Sequence, residues 1–173
     1  SFGAMLWKPY INGFKAYLEL ERSLSANSVD AYLRDIGKLV QFLQLNNVDK
    51  SPQQIDTNQL EKFILWLNDL GLGARSQARI LSGLKAFYKY LLVEDSIDQD
   101  PTELLEGPRL QRKIPEVLSY EEVAQLLAAI DLSEPQGTRN RAMVETLYAC
   151  GLRVSELINL KLTKLYFDIG FVK

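Results

Sequence analysis

Between Ala74 and Val93 the chain carries Arg75, Arg79, Lys85 and Lys89 and no acidic residue. On a helix turning roughly 100° per residue, these cations and Ser82 fall within an arc of about 120°. Ile80, Leu84, Phe87, Tyr88 and Leu91 centre on the opposite side. Such a helix packs one face into a core and presents cations on the other, with no carboxylate of its own to neutralise them. That arrangement suits contact with phosphate, or entry into a DNA major groove, which admits a helix. A solvated helix face is the competing reading of the same charges. Ser25, Asn27, Ser28, Tyr32 and Arg34 form a second polar group able to reach phosphates or bases, with plain helix N-capping as the alternative.

What the chain lacks is equally informative. It has 173 residues and no histidine, so it builds no His-ligated metal site, no Ser-His or Cys-His pair and no imidazole acid–base catalyst. Cys150 is the one cysteine, which excludes an internal disulfide and a CxxC zinc site and suits a reducing compartment. No apolar run approaches the ~20 residues that span a bilayer. Ser1–Met5 has no charged and long apolar leader, and reads as a cloning remnant ahead of an initiator Met5. A cytoplasmic protein is the expectation. The net charge of −2 averages over segregated blocks. Six acidic residues lie between Glu94 and Glu106, directly after the basic stretch, and Arg109, Arg112 and Lys113 follow.

The elements that must position these groups follow from periodicity and punctuation. Tyr10, Phe14, Tyr17 and Leu18 predict an amphipathic helix from Leu6 to Arg22. Ser25 or Asn27 caps a second helix bearing Val29, Tyr32, Leu33, Ile36, Leu39, Val40 and Leu43. Asp56 or Thr57 caps a third with Leu60, Phe63, Ile64 and Leu67, which Gly71-Leu72-Gly73 stops. The fourth runs from about Ala74 to Val93, with a short turn near Thr102–Leu105. Trp7 and Trp66 read as core or interface aromatics. Four helices suffice for one small bundle.

Gly107-Pro108 to Pro115 reads as an extended linker, because proline removes a donor and disfavours helix before it. Ser119 and Glu122 form a capping box, a helix follows to about Ile130, and another runs from about Thr138 to Ala149 before Gly151. Val154–Leu160 continues as a further turn or two of helix. Leu165–Val172 turns β-rich and reads as the start of a hairpin whose domain is cut off.

The segment Thr138–Leu157 closely resembles the first catalytic box of the tyrosine site-specific recombinases, above all the bacterial Xer group. Leu147-Tyr148-Ala149-Cys150-Gly151-Leu152-Arg153-Val154-Ser155-Glu156-Leu157 carries most of the likeness. Ser25–Ser28 with Ala31–Asp35 resembles that family's second N-terminal helix, and Arg79–Lys85 with Phe87–Leu91 its fourth. Asp100-Pro101-Thr102, Gly107-Pro108-Arg109 and Ile114–Ser119 resemble its interdomain linker. The resemblance implies a mainly α fold: a four-helix SAM-like core-binding bundle over 6–107, a linker over 108–118, and the truncated start of an α+β catalytic domain over 119–173.

It also implies DNA strand cleavage and rejoining through a 3′-phosphotyrosyl intermediate, carried out by protomers that form a tetramer on paired duplex sites. No cofactor, metal or membrane is implied. By position Arg153 matches the family's first catalytic arginine, a planar and permanent charge suited to non-bridging phosphate oxygens. Glu156 matches a supporting acidic position. Ser25, Asn27, Ser28, Arg34, Arg75, Arg79, Lys85, Lys89 and Arg141 are the DNA-contact candidates. The family's hairpin lysine, His-x-x-Arg box, second His or Trp and late tyrosine nucleophile have no match. Tyr148 and Tyr166 read as packing residues, and Lys173 takes no catalytic role. The expectation is a catalytically incomplete DNA-binding part of a recombinase. A naturally truncated DNA-binding regulator and a helical interaction scaffold stay open. So do the target sequence and the choice between chromosome-dimer resolution, element integration and inversion.

Overall fold

Two helices of the first half, the second and third, begin where a short polar side chain closes them. The computed structural model describes residues 2–110, 114–166 and 168–172, so Arg112, Lys113 and Lys173, named above, lie outside the described residues. The chain divides into two units, Ser1–Arg112 and Lys113–Lys173. In the first, α1 spans Phe2–Ala16, α2 Ala26–Leu45, α3 Thr57–Asp69 and α4 Ala74–Val93. Ser25 is the N-cap of α2 and accepts from the Ser28 amide at 3.4 Å. Asp56 caps α3 reciprocally with Gln59, through bonds of 2.8 and 3.2 Å. Gly71, at φ +74°, supplies the left-handed turn that ends α3.

The first helix departs from expectation at both ends. It starts at Phe2, and it does not continue as an α-helix to Arg22. Tyr17–Glu21 widens into a π turn, closed by the Arg22 amide on the Tyr17 carbonyl at 3.1 Å. Ser23 then takes a left-handed conformation at φ +48°, and the Leu24 amide reaches the Leu18 carbonyl at 3.1 Å. The wider turn keeps Leu18 buried while Tyr17 packs on Tyr90 at 5.2 Å between ring centroids.

Helix α4 is the centre of the bundle and packs against α1, α2 and α3. Its Phe87 stacks on Trp7 at 5.9 Å and meets Phe14 edge-on at 5.2 Å. Phe42, Phe63 and Trp66 form a second aromatic group between α2 and α3. Trp7 also donates its indole N–H to the Lys50 carbonyl at 2.9 Å. The acidic tail is tied back onto the bundle. Thr57 donates to the Pro101 carbonyl at 3.0 Å, and fully buried Thr102 donates to Asp100 at 2.6 Å.

In the second unit α5 spans Tyr120–Ala128, α6 Gly137–Cys150 and α7 Val154–Ile158, followed by β1 Leu165–Tyr166 paired antiparallel with β2 Phe171–Val172. Ser119 and Glu122 form the expected capping box, with bonds of 2.7 and 3.2 Å. A Cβ at Gly137 would run into the Asp131 carbonyl, so only glycine lets the loop enter α6 here. Val123 is the one large apolar residue buried among the described residues of this unit. Val117, Tyr120, Val154, Ile158, Leu162 and Ile169 all stand exposed. No helix among the described residues is long and apolar enough to cross a membrane.

Phe14, with no exposed surface and four aromatic neighbours, tests the core of the first unit. Phe14→Ala is expected to cost about 3–5 kcal/mol in urea unfolding. Both tryptophans, Trp7 and Trp66, lie in this unit, so their fluorescence reports it. A loss below about 1 kcal/mol would contradict the packing described.

Candidate nucleic-acid interface and arginine turn

The cationic face of α4 is less free than its own sequence implies. Asp35 of α2 is 1% exposed and receives Arg79 end-on, Nη1 to Oδ2 at 2.8 Å and Nη2 to Oδ1 at 2.6 Å. Arg79 therefore has a carboxylate neighbour, supplied by a different helix. Burial raises the Asp35 carboxyl above its ordinary range, and the hydrogen bonds and charge of Arg79, then Arg34 and Lys38, draw it back. Gly83, one turn beyond Arg79, makes the room: a Cβ there would lie 2.5 Å from Asp35 Oδ2.

Lys85 is the second correction to a face of four free cations. It is half-buried and donates to the Leu105 carbonyl at 3.0 Å, fastening the Thr102–Leu105 turn to α4. Arg75 and Lys89 on α4, and Arg34 on α2, make no ion pair among the described residues. All three are exposed. Ser25 and Asn27 are exposed at the start of α2, and Ser28 is half-buried with its hydroxyl 3.0 Å from that of Ser25.

Arg22 was not among the candidates, yet it joins Tyr17, Tyr32, Lys85 and Lys89 around a hollow of about 170 Å³. Only the π turn and left-handed Ser23 bring it there, and nothing in local periodicity signals either. A larger open groove of about 1320 Å³ carries Asp56, Asp98, Asp100 and Glu103, and it repels phosphate. Among the described residues no cluster of His, Cys, Asp and Glu could hold a metal ion.

In the second unit, Gly151 takes φ +63° and ends α6, and Arg153 is the N-cap of α7. Glu156 accepts the Arg153 amide at 2.7 Å and its guanidinium at 2.9 Å. The backbone bond, then the guanidinium, holds the Glu156 carboxyl below its ordinary range. The Arg153 side chain is 82% exposed, so it stands off the helix start with its fork accessible. Arg141 pairs one turn along α6 with Glu145 at 3.1 Å.

Two family profiles match this chain. One, described as "Phage integrase, N-terminal SAM-like domain", matches residues 11–95, and the other, "Phage integrase family", matches residues 116–173. Tyrosine recombinase XerD of Staphylococcus saprophyticus is 39% identical over 163 residues, 94% of this chain and 55% of the relative. Tyrosine recombinase XerD of Chlorobaculum tepidum is 39% identical over 170 residues, 96% and 55% of the two chains. The chain belongs to the phage integrase family of tyrosine recombinases. It spans about half the length of the curated relatives it matches.

The integrase of transposon Tn1549, solved in complex with circular intermediate DNA, shares the fold at a TM-score of 0.64 and 18% identity, over 91% of this chain and 51% of that one. The integrase of mycobacterium phage Brujita does so at 0.54 and 20%, over 91% and 50%. The SAM-like match encloses every candidate on α2 and α4, and the integrase-family match encloses Arg141, Arg153 and Glu156.

Because the folded Glu156 carboxyl lies below its ordinary 4.5, its cap is fully present above that value and is lost as pH falls through the lower folded one. Carbon-13 titration of the Glu156 carboxyl should give a midpoint below 4.5, with the Arg153 amide shift moving in step. A midpoint at or above 4.5 would remove the cap.

Proposed function

We propose that this chain is the DNA-contacting part of a site-specific recombinase that cuts and rejoins strands through a 3′-phosphotyrosyl link. One observation carries the reading. Arg153, inside the stretch matched by the integrase family, stands accessible at a helix start with Glu156 holding its base. A tyrosine hydroxyl attacks a backbone phosphate, forming the phosphotyrosyl bond and releasing a 5′-hydroxyl, which later attacks the partner strand. Arg153 gives the non-bridging oxygens a planar, permanently charged fork as charge builds on them. Glu156 orients that arginine and takes no proton. Ser25, Asn27, Ser28, Arg34, Arg75, Arg79 and Lys89 meet duplex DNA from the first unit, and Arg141 from the second. Lys85 belongs to the same face and also holds the turn behind it.

The 173-residue chain is read here as the core-binding domain, 6–107, a linker, 108–118, and the leading part of the catalytic domain, 119–173. The exposed apolar side chains of the second unit support this, because a finished domain buries such residues. With no histidine and no residue matching the nucleophile, the chain binds DNA weakly and does not cut it. Its partners are a duplex recombination site and further recombinase protomers, four on a pair of sites, in the cytoplasm.

On a suicide recombination substrate this chain is expected to shift the DNA at low salt and to form no covalent adduct. A denaturant-stable adduct would overturn the incompleteness. Replacing Arg75 and Lys89 together with Ala should flatten the dependence of log K on log salt by about 2. An unchanged slope would remove α4 from the interface. In the full-length protein, Arg153→Ala should slow strand cleavage by about 10²–10³-fold while leaving DNA binding nearly intact.

A further inference from the structure

The Asp35–Arg79 pair is costly on one side. A carboxylate 1% exposed has given up its water, while the Arg79 side chain, 52% exposed, keeps much of its own. The chain nevertheless reserves three positions for it: Asp35 on the inward stripe of α2, Arg79 on α4, and Gly83 to make space.

The geometry of the pair shows what it leaves over. Asp35 takes one N–H from Nη1 and one from Nη2, the end of the fork. Nε–H and the second Nη2–H lie parallel on the guanidinium's side edge, and no acceptor among the described residues meets them. The Arg79 side chain is 52% exposed, so that edge is open to an incoming pair of oxygens. We infer that Asp35 is a positioning residue, which locks Arg79 so that its free edge grips a DNA backbone phosphate. The inference rests on the reading of α2 and α4 as the DNA face.

One further point favours phosphate over a base edge. The fork is anchored to a buried carboxylate, so it stays close to the bundle surface and does not extend to the floor of a groove about 8.5 Å deep. Pre-setting also helps affinity: a free arginine gives up rotamer entropy on being fixed, and Asp35 takes up part of that loss before DNA arrives.

The test depends on sign. Asp35→Asn deletes a negative charge beside the interface, so by Coulomb attraction alone the variant should bind DNA more tightly. Loss of positioning predicts the reverse, about tenfold weaker binding, the scale of one hydrogen bond from a charged donor. The probe is a short fluorescein-labelled duplex of mixed sequence, titrated by anisotropy at low salt, with folding checked by tryptophan fluorescence. Arg79→Lys keeps the charge and loses the fork, so it should weaken binding to a similar degree, and Asp35→Asn added to it should do nothing more. If Asp35→Asn does not fold, Arg79→Lys alone decides, and wild-type affinity in it overturns the inference. Affinity of Asp35→Asn equal to or above wild type also overturns it while leaving the DNA reading intact. A wild-type chain that does not bind the duplex overturns both. Replacing guanine with 7-deazaguanine should leave wild-type affinity unchanged, and a drop seen only with Asp35 and Arg79 both present would overturn the phosphate assignment.

Discussion

Phe87 on α4 touches Trp7, Phe14, Tyr88 and Tyr90, and the first unit is arranged around that contact. Once one face of α4 is committed to this aromatic group, Arg75, Arg79, Ser82, Lys85 and Lys89 have no place to go but outward. Burial of the apolar stripe is worth a few kcal/mol per large side chain, far more than any single exposed charge gains or loses. Packing therefore decides where the cations stand. The DNA contact proposed for them rests on a choice made by the core.

The neighbours then divide the labour among those cations. Arg79 is held by Asp35, Lys85 by the Leu105 carbonyl, and Arg75 and Lys89 are left without ion pairs among the described residues. Two kinds of charge result: fixed ones, whose geometry can discriminate, and loose ones, whose contribution is salt-dependent attraction. The acidic stretch after α4 meets this face at one end. Asp98, Asp100 and Glu103 line a groove that Lys89 also borders, with Thr57 and Thr102 holding that segment in place.

The second unit follows a different logic. Its local signals are complete: capping boxes, a left-handed Gly151 and a small hairpin all form. Few of its apolar residues are covered: among the described residues Val123 is buried while Val117, Val154, Ile158 and Leu162 stand exposed. Local hydrogen bonds are enough to place Arg153 and Glu156 relative to each other, three positions apart on one turn. They are not enough to build a cleft around them, which takes long-range packing.

Most of the fold was legible because it is local. Ser25, Asp56 and Ser119 cap their helices as their types predict, the stripe on Ala74–Val93 marks the buried face, and the run around Gly151 and Arg153 marks the family. These depend on residues within a few positions of one another, so spacing alone exposes them. A charged residue at 35 on the apolar stripe of α2, beside Ile36 and Leu39, was a signal that something must meet it. Its partner is 44 positions away, and no periodicity names it. The π turn at Tyr17–Glu21, the entry of Arg22 into a cationic hollow and the fastening of Lys85 to Leu105 share that origin. The chain's own order determined the helices, their faces and the family. Which cations stay free was decided only when distant carboxylates and carbonyls packed against them, because burial penalises any polar group left without a partner.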